Sequence, residues 1–242
     1  MTILLLAGSG EAKEIATGLA ALSLPAIASL AGATRAPKQL DIPMRIGGFG
    51  GADGFRKYLT EARISAVIDA THPYASQITH RTAAICAEIG LPCLHVLRTP
   101  WIAQAGDNWT EISREEDAAG LIPKGSTVFL GTGRQTLDRF SGLLGCRVIC
   151  RQIDPPTAPF PFEGGEFLIG RPPFPVAREK SIFTQLGIDW IVVKNAGGDA
   201  SATKLTAARE LGIPVLMIAR PTSPKALRVD NAADALTWAQ TL

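Results

Sequence analysis

The chain is poor in cysteine and histidine: 242 residues contain four of the first and three of the second. Cys86, Cys93, Cys146 and Cys150 show no C-x-x-C spacing, and the histidines are scattered. Neither a zinc ligand set nor a dithiol redox motif is therefore readable, and no metal is expected. Buried, reduced thiols are expected instead, since unpaired cysteine behaves as a small core hydrophobe. An excess of one charge is also missing. Lys and Arg number 24 against 22 Asp and Glu, a net charge of +2, which excludes the broad basic surface of a non-specific nucleic-acid binder and makes any anion site local. Long apolar runs are absent: stretches such as 3–7 and 215–219 fall far short of the roughly 20 residues of a membrane-spanning helix. The first residues lack a basic leader and read as a core strand, so a cytoplasmic location is expected. A composition of 46% hydrophobic and 19% charged residues is that of a globular chain able to bury a core.

What is there is an alternation of apolar runs and helical periodicity. Residues 3–7 end in Gly8-Ser9-Gly10, after which Ala12, Ile15, Ala16, Leu19 and Leu22 recur at helical spacing, giving a strand, a tight turn and a helix. Strands are expected over 25–31, 65–70 and 94–97, and helices over 54–61 and 76–89. The order then repeats. Residues 128–130 end in Gly131-Thr132-Gly133, IDATHP has a counterpart in VKNAGG, and AAICAEIGLPCLHVLRTP has one in LTAARELGIPVLMIARP. Gly8 and Gly131, Ala70 and Ala196, and Pro92 and Pro214 lie 123, 126 and 122 positions apart. Strands alternating with helices imply parallel sheets reached by right-handed crossovers. The expected fold is α/β, with two Rossmann-like parallel-sheet domains, 1–122 and 123–242, related by an internal duplication, and a cleft between them. The Pro-rich stretch 155–161, Gly164-Gly165 and the GRPPF run at 170–174 interrupt the second half, as a surface loop or as a lid.

Ligands of open parallel sheets bind at the carboxyl ends of the strands, which makes those loops the candidate sites. GSGEAK only half matches G-x-G-x-x-G, because Lys13 stands at the third glycine, and a plain strand-to-helix turn accounts for it equally well. Glu11 places a negative charge where a pyrophosphate would sit. Gly47, Gly48, Gly50 and Gly51 around Phe49 expose backbone N–H groups and make the better phosphate cradle. Where an NAD site has an acid, the chain reads SLAGATR. Arg35 there suits the 2′-phosphate of NADP, or is an exposed loop arginine. ATHPYA and KNAGG would face each other across the cleft, bringing His72, Tyr74, Lys194 and Asn195 to one ligand, although a histidine after a strand is commonly a structural hydrogen-bonding residue. Lys194 ends a buried run and calls for an anionic partner. Arg98, Arg134, Arg151 and Arg171 follow strands or lie in loops, so a locally basic cleft for a substrate with several carboxylates is expected.

In order along the chain, RIGGFGGADG, DATHPYA, GRQ after an apolar strand, and KNAGG resemble the precorrin-6A reductase family of cobalamin biosynthesis, from LLLAGSGEA to LGIPVLMIARP. Arg98 and Trp101, followed by Gly106-Asp107 and Trp109, match its spacing too. The resemblance implies an NADPH-dependent oxidoreductase, using neither flavin nor metal, that delivers a hydride to one double bond of the precorrin-6A macrocycle and gives precorrin-6B. It carries the cofactor elements onto Gly8, Ser9, Gly10 and Glu11, onto 29–32 with Ala31 and Gly32, onto Gly47, Gly48, Phe49 and Gly50, and onto Thr71, His72 and Pro73. There are two departures. The family's first turn is usually Gly-Gly-Thr, a residue, then Glu, and the arginine often found directly after SLAG is here Ala33, with Arg35 two positions on.

The expected reaction places the nicotinamide on the ATHPYA side and the macrocycle on Arg98, Arg134, Arg151, Arg171, Lys194, Asn195 and Gly197. Hydride addition leaves the conjugated nitrogens more basic, so a proton must follow, from His72, Tyr74 or solvent. His72, Tyr74 and Lys194 are the catalytic candidates. A non-catalytic NADP(H)-binding sensor and a two-domain nucleotide-sugar glycosyltransferase share this architecture and stand as alternatives. A monomer is expected, with no nucleic-acid or membrane partner, and the sequence leaves open whether the substrate carries cobalt.

Overall fold

A computed structural model describes residues 1–32 and 39–242. Arg35, expected at the 2′-phosphate, lies outside the described residues. The first repeat runs β1 (Ile3–Ala7), α1 (Gly10–Ala21), β2 (Ala26–Leu30), β3 (Met44–Ile46), α2 (Gly51–Glu61), β4 (Ala66–Ala70), α3 (Ser76–Glu88), β5 (Cys93–Val96) and β6 (Trp109–Ile112). The second runs β7 (Thr127–Leu130), β8 (Arg147–Gln152), β9 (Gly165–Ile169), α4 (Val176–Leu186), β10 (Trp190–Lys194), α5 (Thr203–Leu211), β11 (Val215–Ile218), β12 (Leu227–Val229) and α6 (Ala232–Ala239). Short 3-10 helices cover Glu115–Gly120 and Arg134–Phe140.

Among the described residues the strands form two six-stranded parallel sheets, ordered β12-β5-β4-β1-β2-β3 and β6-β11-β10-β7-β8-β9. The strands read as continuous apolar runs because both faces of such a sheet are covered. Ile3, Leu5 and Ala7 of β1 join Ala12, Ile15, Ala16 and Leu19 of α1 and Ala235 and Ala239 of α6 on one face. Leu4 and Leu6 join Phe55 and Leu59 of α2 and Ile85 and Cys86 of α3 on the other. In the second sheet Phe129, Ile191, Val193 and Met217 pack against Phe183 of α4 and Leu205 and Ala208 of α5. Each such fully buried large side chain stabilises the fold by about 1.5–3 kcal/mol.

The duplication is present in the topology: β5-β4-β1-β2-β3 and β11-β10-β7-β8-β9 follow one order. The expected division at 122/123 is corrected. The compact units are Met1–Thr99 with Pro221–Leu242, and Pro100–Arg220. The last strand of each repeat completes the sheet of the other. β6 pairs with β11, Trp109 opposite Val215, and β12 pairs with β5, Leu227 opposite Leu94. The chain passes from one unit to the other at Pro100 and Pro221. Trp109–Ile112 and Leu227–Val229 are short, and most of their residues are exposed or half-buried. Their apolar pattern therefore does not specify a partner, and backbone hydrogen bonds at the free sheet edge do.

The repeats also differ after their first strand. Gly8-Ser9-Gly10 opens an α-helix, capped by the Ser9 side chain, whereas Gly131-Thr132-Gly133 opens the 3-10 helix Arg134–Phe140. Among the described residues no helix is long and apolar enough to cross a membrane.

The exchanged helix α6 packs on α1 where a Cβ on Gly18 would collide with Leu236. Gly18→Val is expected to cost about 1–3 kcal/mol by overpacking. Adding Leu236→Ala should recover part of that loss in urea unfolding followed by circular dichroism; simply additive losses would contradict this packing.

Candidate functional site

In the first unit the ladders set four loops side by side. Ala7 pairs with Leu30 on one side and Ala70 on the other, and Leu30 pairs with Ile46. The loops that follow therefore leave the sheet at one level, and they carry Gly8, Ser9, Gly10, Ala31, Gly32, Gly47, Gly48, Phe49, Gly50, Thr71, His72 and Tyr74. A Cβ on Gly8 would sit 3.2 Å from the His72 amide nitrogen and 3.4 Å from Thr71 Cα. A side chain at Gly8 would press on the backbone of the loop after β4 and require it to yield by a few tenths of an ångström.

Ser9 serves the fold at that junction: its hydroxyl donates to the Ala70 carbonyl at 2.8 Å and accepts from the Ala12 amide at 3.3 Å. Glu11 accepts from Arg98 Nη1 at 2.6 Å. Burial alone would push the Glu11 carboxyl up, but its own backbone amide, the Arg98 charge and the Arg98 hydrogen bond, with the nearby Ser9 hydroxyl, outweigh it and hold the carboxyl below the usual range. Arg98, expected on the substrate, thus faces an acid of its own unit. Asp69, buried at the end of β4, accepts from the Thr71 amide at 3.0 Å, and Thr71 Oγ1 lies 3.2 Å from Thr79 Oγ1. His72 Nδ1 accepts from the Tyr74 amide at 3.3 Å. In the neutral ring that acceptor role puts the proton on Nε2.

The glycine loop is a backbone surface. Gly47 and Gly50 have φ of 118° and 75°, in the region L side chains rarely adopt. A Cβ on Gly47, Gly48, Gly50 or Gly51 would meet nothing within 4 Å, so packing does not explain these glycines. Phe49 turns inward, its ring 4.8 Å from Phe55 and 5.2 Å from Tyr58. An open, side-chain-free loop running straight into α2 fits the diphosphate of a dinucleotide.

In the second unit Arg134, Arg151, Arg171 and Lys194 also stand at the carboxyl edge, after or near the ends of β7, β8, β9 and β10. Lys194 has its anionic partner within the protein. Its Nζ is 3.6 Å from Glu115 and donates to Thr136 Oγ1 at 3.3 Å. Burial pulls the Lys194 ammonium below its ordinary value, and Glu115 opposes that shift. Glu115 is raised by burial, but its own amide, Lys194, Thr136 and Arg139 bring it below the usual range. Arg151 is committed to the fold, donating to both Glu179 oxygens at 2.7 and 2.6 Å and lying over the Phe129 and Phe174 rings. Arg171 is 3.7 Å from Asp154, and Arg134 is exposed at the start of its 3-10 helix. Asn195 holds the chain crossing: its side chain accepts from the Trp101 amide at 2.8 Å and donates to the Trp101 carbonyl at 3.0 Å. Gly197, at φ of 70°, turns the loop so that the Gly198 carbonyl accepts from the Trp101 indole.

Four residues with parts in these sites went unassigned in the sequence. Glu115 gives no local signal, being far from Lys194 along the chain. Asp69 ends a buried strand, Arg45 precedes the glycine loop, and Lys204 opens α5; each is a charge beside an apolar or glycine run, the signal that singled out Lys194. Lys204 Nζ donates to the Ser201 carbonyl, and burial pushes its pKa down to about 8, with Glu179 opposing and Arg151 adding to the shift.

The model of the family described as precorrin-6x reductase CbiJ/CobK matches residues 2–240. The chain belongs to this family. It is 42% identical over 243 residues to the precorrin-6A reductase of Rhodococcus erythropolis, covering 99% of this chain and 98% of that one. It is 41% identical over 223 residues to the precorrin-6A reductase of Rhodobacter capsulatus, covering 92% and 89%. Among solved structures, "CobK precorrin-6A reductase" matches with a TM-score of 0.95 at 38% identity, covering 100% of this chain and 96% of that one. The ordered motifs thus pointed to the right family, an oxidoreductase family of cobalamin biosynthesis built on two parallel sheets.

Lys204 gives a direct test of second-unit electrostatics. Its folded value of about 8 lies below the ordinary 10.5, so between the two the unfolded chain binds the extra proton and this group's contribution to stability rises with pH. NMR of reductively methylated protein should show one lysine titrating near about 8, lost in Lys204→Met. Stability relative to that variant should climb from about pH 8 to about pH 10.5; a flat difference would contradict the burial.

Proposed function

We propose that the protein is an NADPH-dependent precorrin-6A reductase that reduces one double bond of the macrocycle to give precorrin-6B. Family membership supports the reaction, and one observation carries the cofactor assignment: four level loops of the first unit include an open glycine cradle, whereas the matching turn of the second unit opens only a 3-10 helix. Gly8, Gly10, Ala31, Gly32 and residues 47–50 would hold NADPH, with Ser9, Thr71 and His72 shaping the floor beneath it. Arg35 is assigned to the 2′-phosphate. NADPH, when bound, supplies the hydride; neither flavin nor metal is assigned a part.

The protein's contribution is orientation, since hydride transfer needs donor and acceptor carbons in contact. The assigned proton source for the reduced macrocycle is His72 as imidazolium, which takes up a proton from solvent at Nδ1 in place of the Tyr74 amide and returns to the neutral ring when Nε2 gives its proton up, with Tyr74 beside it at a ring distance of 5.7 Å. Arg134, Arg171 and Lys194 are assigned to the macrocycle's carboxylates, Lys194 being held in place by Glu115 and Thr136. Arg98, Arg151 and Asn195 instead hold the structure around the site, and Gly197 gives the β10 loop its turn. A monomer working in the cytoplasm, where NADPH is kept reduced, completes the proposal. The sensor and glycosyltransferase readings are disfavoured by family membership.

Anaerobic incubation with precorrin-6A and either NADPH or NADH tests it. The expected result is a mass gain of two hydrogens with NADPH and little with NADH. Consumption of neither nucleotide, with precorrin-6A or its cobalt form, would favour the sensor. Lys194→Ala is expected to raise KM for the macrocycle more than it lowers kcat; the reverse would place Lys194 in the transition state. His72→Ala is expected to lower kcat at saturating NADPH by about 100-fold or more.

A further inference from the structure

Arg45 stands on β3 in register with Ser29 of β2, two residues before the glycine loop. Its Nη1 donates to Ser29 Oγ at 2.6 Å and to the Gly47 carbonyl at 3.0 Å, and its Nη2 donates to the Gly48 carbonyl at 2.9 Å. The guanidinium lies 4.1 Å from the Phe49 ring centroid and 5.0 Å from that of Tyr58. The Gly47 amide is tied separately to the Leu30 carbonyl at 2.8 Å. One arginine therefore joins the end of β2 to two successive peptide groups of the loop.

The geometry of the peptide bond gives this clamp a consequence. In a trans peptide the C=O and the following N–H point in opposite directions. Drawing the Gly47 and Gly48 carbonyls in toward Arg45 turns the N–H groups of Gly48 and Phe49 the other way, onto the open side of the loop. An unclamped stretch of glycines would populate many backbone states and pay to order them on binding. The planar fork is needed for this, because a lysine ammonium is a point charge that cannot hold two carbonyls and a hydroxyl in one plane.

We infer that Arg45 is a positioning residue that presents the amides of the glycine loop to the cofactor's diphosphate, and that it is not a ligand of the 2′-phosphate. The inference rests on the proposed placement of the cofactor on this loop. It makes a distinctive demand: loss of the clamp weakens binding of NADPH and NADH alike, since both carry the diphosphate and only one carries the 2′-phosphate.

The test is dinucleotide fluorescence titration of wild-type protein, Arg45→Lys and Ser29→Ala with NADPH and with NADH. Arg45→Lys is expected to raise both dissociation constants by a common factor of about tenfold or more, and Ser29→Ala, which removes one of the three bonds, by about two- to threefold. The ratio of the two constants stays at its wild-type value. Melting curves check folding, and Ser29→Ala carries the test if Arg45→Lys does not fold. Unchanged affinities in variants of a protein that binds NADPH would overturn the clamp and leave the cofactor placement standing. A selective loss of NADPH would overturn it too, making Arg45 a 2′-phosphate ligand. Failure of the wild type to bind either nucleotide would remove the placement and the clamp with it.

Discussion

A parallel ladder holds neighbouring strands level and sends each of them out at the same edge, and the chemistry proposed for this protein depends on that register. In the first unit Ala7 stands between Leu30 and Ala70, and Leu30 stands beside Ile46. The two alanines at the strand ends leave room for Gly8 to approach the Thr71 and His72 backbone. Were β1 shifted by one residue against β4, the Ser9 hydroxyl would lose the Ala70 carbonyl and α1 its link to the neighbouring loop. The apolar layers enforce the register, because Leu4 and Leu6 on one face and Ile3 and Leu5 on the other are all buried to 2% exposure or less.

Charge near the strand ends is mostly balanced from within. Glu11 meets Arg98, Glu115 meets Lys194, Glu179 meets Arg151 and Asp107 meets Arg209. In the buried Arg151–Glu179 pair the cost of removing two charges from water nearly cancels their attraction, yet deleting one partner strands the other at about 3–5 kcal/mol. Arg151 is therefore held by stability before any substrate is considered. Lys194 differs, because Glu115 and Thr136 fix its position at the end of β10 while burial disfavours its charged form.

Much of the fold is legible in the sequence because parallel strands buried on both faces leave short apolar runs, and helices leave one apolar stripe. The expected strand at 3–7 and the helices at 54–61 and 76–89 lie within a few residues of β1, α2 and α3. The exchange of β6 and β12 is not legible. The repeat points each half to its own sheet, and strands such as Leu227–Val229 carry too few buried side chains to say otherwise. β3 went unread as well, being three residues without a fully buried one. At the site, glycines announce themselves because only a backbone requirement explains four in five positions. The second partner of a charge does not: nothing near Lys194 in sequence indicates Glu115, and nothing in RIGG says that the arginine turns back onto the glycines.

The central claim is that the nucleotide cofactor lies on the carboxyl edge of the first unit and not on the matching edge of the second. Amide hydrogen exchange with and without NADPH tests it most directly. The account predicts slowed exchange at 8–10, 31–32, 47–51 and 71–74, with the turn at 131–134 unchanged. Protection at 131–134 with none at 47–51 would contradict it, and would move the cofactor to the other half of the duplication.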